Sequence, residues 1–176
     1  EIIIPKNRGD LEYFEVGFIG MRLCGHPGIS KVELSSRNVT ALGVRDLAYG
    51  LIHNRTVKTL LLSSNPLGSA GCSAIAGLLE QNAQLLVLDI VNTSCGGDGD
   101  DALTSTFQSS DKTGLKVLDM IVIDRSIAVT NTRLFNYHTA FIGCRLRHGA
   151  HITSLDLSGC RSQNQSNQLA IQYLVD

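Results

Sequence analysis

The chain has 176 residues, 43% of them hydrophobic, and sets 15 Lys and Arg against 16 Asp and Glu for a formal net charge of −1. That length suits one domain with a sizeable core, and the balanced charge supplies no field to gather nucleic acid or an anionic membrane. The longest apolar runs fall far short of a bilayer span, and the opening EIIIPKNRGD lacks the basic-then-apolar order of a signal peptide.

In chain order, residues 1–28 place Ile4 in a short strand and Ile19 and Leu23 on a helix, the first and most degenerate of a series of similar units. In the second unit, residues 29–56, the apolar slots are Ile29, Val32, Leu34, Val39, Gly43, Leu47 and Leu51. A step of 28 residues lays Val57, Leu60, Leu62, Leu67, Gly71, Ile75 and Leu79 over them, and a further 28 gives Leu85, Leu88, Ile90, Cys95, Gly99, Leu103 and Phe107. The units therefore run 1–28, 29–56, 57–84, 85–114, 115–151 and 152–176, the fifth opening with LKVLDMIVID and the sixth with ITSLDLSGC. Glu1 in place of Met, with repeat boundaries at both ends, is the expected look of a piece of a longer repeat protein.

Within each unit L-x-x-L-x-L puts alternate side chains on one face of a strand, and the following L-x-x-x-L puts its leucines on one face of a helix. One strand and one helix bury too little to offset their own ordering entropy, so the units must stack and share a core. Gly68/Gly71, Gly96/Gly99 and Pro66 mark the turn between them.

VKTLLLSSNPLGSAGCSAIAGLLEQNAQ, the third unit, resembles the 28-residue leucine-rich repeat of the ribonuclease-inhibitor type, and the resemblance covers nearly the whole chain. It implies an α/β fold: a right-handed leucine-rich-repeat solenoid, a horseshoe segment with parallel strands on the concave face and helices on the convex face. It also implies that Asn65 bonds neighbouring backbone in its turn, a slot held by Arg37, Thr93, Ile123 and Cys160 elsewhere. The family spans inhibitors, receptor sensors, GTPase activators and scaffolds, so the resemblance speaks for architecture more than for activity.

Other clusters have bland readings. CGGDGDD, Cys95–Asp101, lacks the Lys-Ser/Thr of a phosphate loop and the spacing of a calcium loop, so Asp98, Asp100 and Asp101 read as carboxylates at a helix start. His148 and His151 in RLRHGAH have no further clustered ligand, which leaves basic residues at a helix end. Cys24, Cys72, Cys95, Cys144 and Cys160 have no paired spacing and read as buried reduced thiols of a cytoplasmic protein. Four N-x-[ST] sequons, at Asn38, Asn54, Asn92 and Asn164, carry the extracellular alternative.

No nucleophile, metal or cofactor signature stands in the sequence, so the expected function is noncatalytic: a scaffold that binds a protein on its concave face. The alternatives are a GTPase-activating protein of the Ran-type leucine-rich-repeat class, with Arg37 and Asn38 as its loop pair, or the sensor region of an innate-immune-type receptor. The expected partner surface is the fifth strand position, Glu33, Leu61, Asp89, Asp119 and Asp156, flanked by an apolar strip of Val87, Val91, Val117 and Ile121. Carboxylates beside aliphatic side chains suit a basic amphipathic segment of a protein, with neither nucleic acid nor membrane as partner.

Overall fold

The computed structural model describes residues 1–3, 9–109, 115–117, 121–123, 126–129, 133–147 and 152–162. β1 (Ile2–Ile3), β2 (Lys31–Glu33), β3 (Thr59–Leu61), β4 (Val87–Asp89) and β5 (Lys116–Val117) pair in that order as one parallel sheet. Between them α1 (Tyr13–Leu23), α2 (Ala41–Ile52), α3 (Gly68–Gln81) and α4 (Asp98–Ser109) pack each against the next. Val32, Leu60, Leu88 and Val117 form one row across the sheet and are wholly buried. Every residue at the recurring slots of the three central units is buried except Ile29, which is half-buried.

At both ends of the sheet the strand spacing departs from the sequence reading. Ile2 stands opposite Val32, a step of 30 residues; Ile4, expected in this strand, lies outside the described residues. After β5 the chain forms an antiparallel hairpin, β6 (Ile121–Ile123) against β7 (Ser126–Ala128). β7 pairs in parallel with β9 (Ser154–Asp156), Ser126 opposite Ser154, which is a step of 28 residues. The Val129 N–H bonds Asp156 O at 2.8 Å, as Leu34 bonds Leu61 O at 2.9 Å and Leu62 bonds Asp89 O at 2.8 Å. Within the fifth unit, β7 thus stands beside the strand of the sixth, as β5 stands beside that of the fourth. α5 (Asn136–Arg147) packs on α4, and β8 (Arg133–Leu134) pairs with β10 (Arg161–Ser162).

Polar ladders join the units where strands and helices end. Asn65 is buried; its Oδ1 accepts from Arg37 N–H and Val39 N–H at 2.9 Å each, and its Nδ2 donates to Leu34 O at 2.8 Å and Leu62 O at 2.7 Å. Thr93 keeps one of these bonds, to Ile90 O at 2.6 Å. The Cys160 thiol donates to Val129 O at 2.8 Å, the counterpart of the Asn65 bond to Leu34 O. A second ladder, unread in the sequence, stands at the helix ends. Asn54 and Asn82 are buried; Asn54 donates to Leu23 O and Asn82 to Leu51 O, both at 2.7 Å. Each Oδ1 then accepts two N–H groups of the chain entering the next strand, from Thr56 and Val57 in one case and Gln84 and Leu85 in the other. These backbone groups lie away from water, and the asparagines satisfy them.

One further correction follows from packing. Cys72 and Cys95, expected as separate thiols, form a disulfide between adjacent units with their Cα atoms 5.6 Å apart. Cys24, Cys144 and Cys160 are free. Asp100 is buried, and its carboxylate accepts from Asn136 N–H at 3.1 Å and Tyr137 N–H at 2.8 Å, so it caps α5 as well as opening α4. Arg147 donates to Gln108 O at 3.2 Å at the end of α4. His148 and His151 lie outside the described residues.

Candidate protein-binding surfaces

Glu33, Leu61 and Asp89 stand opposite one another on β2, β3 and β4, each half-buried while its strand neighbours Val32, Leu60 and Leu88 point into the core. Val87 and Val91 flank Asp89 and are also half-buried. These five of the expected residues share one face of the sheet. Val117, Ile121 and Asp156 do not join them. Val117 sits in register with Leu88 and is wholly buried, because the pairing of β4 with β5 runs one residue out of phase with the sequence alignment. Ile121 lies on β6, in the other sheet, and Asp156 is exposed on β9 beside Ala128 of β7. Asp119 is outside the described residues.

The carboxylates also have local work. Glu33 accepts from Ser35 N–H at 3.2 Å, Asp89 from Val91 N–H at 3.1 Å and Asp156 from Ser158 N–H at 2.9 Å. The bond from Ser158 holds the Asp156 carboxyl below its ordinary pKa. Lys31, next to Glu33 on the same face, lies 3.0 Å from Glu1 and 3.8 Å from Glu33. Its hydrogen bond to Glu1, with the nearby carboxylate charges, raises the ammonium pKa. Glu33 is thus partly neutralised, whereas among the described residues Asp89 has no ion pair.

On the outer side of the helices lies a surface the sequence reading passed over. Tyr13, Phe14, Phe18 and Met21 of α1 and Leu42 and Tyr49 of α2 are all more than half exposed, Tyr49 at 72%. Between the two helices runs a groove of about 540 Å³ whose floor is Gly17, Asp46 and Gly50. The depth comes from glycine. A Cβ on Gly50 would overlap the Gly20 carbonyl, and one on Gly20 would come within 2.7 Å of Leu47 Cα. The signal was present in the sequence as Phe14, Phe18 and Met21 at helical spacing opposite the core stripe Val16, Gly20 and Leu23.

Arg37 and Asn38 are engaged in their turn. The Arg37 guanidinium donates to Ser36 O at 3.0 Å, and Asn38 adopts a left-handed φ of 55°. Asn54, one of the four sequon asparagines, is inaccessible in the ladder. Among the described residues no group of three or more His, Cys, Asp or Glu side chains could hold a metal, and no helix is long and apolar enough to cross a membrane.

Strand–helix units stacked at a fixed step through a shared core define a repeat protein. Residues 53–76 match the family model described as Leucine Rich repeat. Leucine-rich repeat-containing protein 45 of Gallus gallus is 35% identical over 80 residues, which is 46% of this chain and 12% of that protein. The chain thus spans a small part of that relative's length. Among solved structures, Leiomodin-1 Actin-Binding Site 2 (ABS2) superposes with a TM-score of 0.59 at 16% identity, over 96% of this chain and 75% of that one. Together these similarities support a leucine-rich repeat family.

Proposed function

We propose that the chain is a noncatalytic protein-interaction scaffold of the ribonuclease-inhibitor repeat type. In this reading it is a right-handed solenoid with strands on the concave side and helices on the convex side, and it takes its partner on the strand face. One observation carries the proposal: Glu33, Leu61 and Asp89 lie in register across three strands, with Val87 and Val91 alongside and none of the five fully buried. Half-open aliphatic groups around an anion supply burial for a partner's apolar side chains and orientation for its cations. The structural neighbour is by its name an actin-binding site, which is support by likeness of fold for a protein-binding role. The partner class is a basic amphipathic segment.

The test is a double variant, Leu61→Arg with Asp89→Lys, against a panel of Arg/Lys-bearing amphipathic helical peptides. Wild type should bind with an affinity that falls as salt rises, and the double variant should lose about tenfold or more with its circular dichroism unchanged. Equal binding by both proteins removes the strand face from the proposal.

A further inference from the structure

The exposed stripe on α1 is larger than folding needs. Phe14, Phe18 and Met21, at 62%, 58% and 65% exposure, follow one another at i, i+4 and i+7. At 100° per residue this stripe stands about 160° from the core stripe of Val16, Gly20 and Leu23. Stacking of a further unit would not cover it. α2 takes one flank of α1, and the opposite flank, where another unit would pack, carries Glu15, Ile19 and Arg22. The stripe points away from both.

We propose that this surface binds a second copy of the same chain, with the two α1 helices crossing antiparallel about a two-fold axis near Phe18. Area is the first argument. Six large apolar side chains, each more than half exposed, present on the order of 600–700 Å², if an aromatic side chain offers 150–250 Å². That exceeds the largest apolar patch of an ordinary monomer and approaches the roughly 800 Å² that each partner contributes to a stable interface.

Charge is the second argument. α1 carries Glu12 and Glu15 at its start and Arg22 at its end. In an antiparallel crossing centred on Phe18, Phe14 of each copy meets Met21 of the other, and Glu15 lies toward Arg22 of the other, twice over. A parallel crossing would set like charges side by side. The groove is floored by Gly17 and Gly50, with the Asp46 side chain, paired with Arg45 at 3.1 Å, beside Gly17. A two-fold interface of this kind is self-complementary and closes at two copies, which removes the apolar surface from water without starting a polymer.

Sedimentation equilibrium on the intact chain, across a micromolar concentration series, should give twice the monomer mass at the upper end. Phe18→Asp should raise the dimer dissociation constant by about a hundredfold while the far-ultraviolet spectrum stays the same. A Phe18→Cys variant on a Cys24→Ser background should crosslink to itself with a short bis-maleimide, because the axis places the two copies of position 18 together. A monomer at every concentration overturns the proposal and leaves the surface to a different protein. A dimer that survives Phe18→Asp, or a Phe18→Cys dimer that fails to crosslink, overturns the assigned geometry.

Discussion

The outer faces of α1 and α2 differ from those of α3 and α4, although the inner faces repeat the same design. At one outward slot the residues, 28 apart, are Phe14, Leu42, Ala70 and Asp98; at another they are Met21, Tyr49, Gly77 and Ser105. The first two members of each column are more than half exposed. Inward, the equivalent columns read Ile19, Leu47, Ile75, Leu103 and Leu23, Leu51, Leu79, Phe107 without a polar member. Burial constrains the inner columns at every step, because each unit must bury its face against the next. Nothing in the stacking constrains the outer ones. Apolar residues retained there on two neighbouring helices thus mark binding rather than folding.

The largest test of that division contrasts two adjacent residues. Asn82 is buried in the ladder and Gln81 beside it is exposed. Asn82→Ala would strand the carbonyls of Leu51 and Asn54 and the N–H groups of Gln84 and Leu85, so it should cost about 3–5 kcal/mol in urea unfolding. Gln81→Ala should stay within about 0.5 kcal/mol. Equal losses would erase the distinction between the inner and outer surfaces at this turn.

The disulfide sharpens the same point, since Cys72 and Cys95 both occupy inner slots. Closing a loop of 23 residues of sequence should contribute about 3 kcal/mol, lost on reduction. Alkylation of the unfolded, unreduced chain should label Cys24, Cys144 and Cys160 only. Labelling of all five cysteines would restore the expectation of reduced thiols.

Glycine gives the next test. Gly50→Ala must push α1 away from α2, because the new methyl would meet the Gly20 backbone, and should destabilise by about 1–3 kcal/mol. Gly77, at the outward slot of α3, has nothing within 4 Å of a built Cβ. Gly77→Ala should therefore stabilise by about 0.5–1 kcal/mol through helix propensity alone. Two substitutions of the same kind should move the melting temperature in opposite directions.

Legibility in the sequence followed the strength of the period. The slots from Val32 to Phe107 were readable because burial repeats them at a constant step. The phase beyond Leu115 was not, because the β6–β7 hairpin interrupts the count and LKVLDM resembles a unit start. The same slip assigned the turn slot to Ile123, which lies on β6. It also set Val117 in the open strip. The Asn54 and Asn82 ladder repeats at 28 and was there to be seen, but Asn54 reads equally as a sequon, and its hydrogen bonds depend on carbonyls 28 to 31 residues away. The groove on α1 and α2 was missed for a different reason: a search by repeat looks for what recurs, and this surface does not.

The smallest effect belongs to an exposed carboxylate. Asp156 accepts from the Ser158 N–H at 2.9 Å, and that bond favours the ionised form and lowers the pKa below the ordinary 3.8. A group whose folded pKa is depressed adds stability above its unfolded pKa and loses it as pH falls through the folded one. Solvent screens the site, so the effect on unfolding should be slight and confined to acid below about pH 4. Direct carboxyl titration by NMR is the measurement with enough resolution: the Asp156 midpoint should fall below 3.8. Replacing Ser158 with Pro removes the N–H and should return the midpoint toward that value. A midpoint at or above 3.8 in the parent chain would mean that the turn after β9 does not hold its carboxylate in solution. Asp156 would then be as free to meet a partner as Asp98 or Asp101 on the outer face of α4, and the division between the strand side and the helix side would weaken at that end of the molecule.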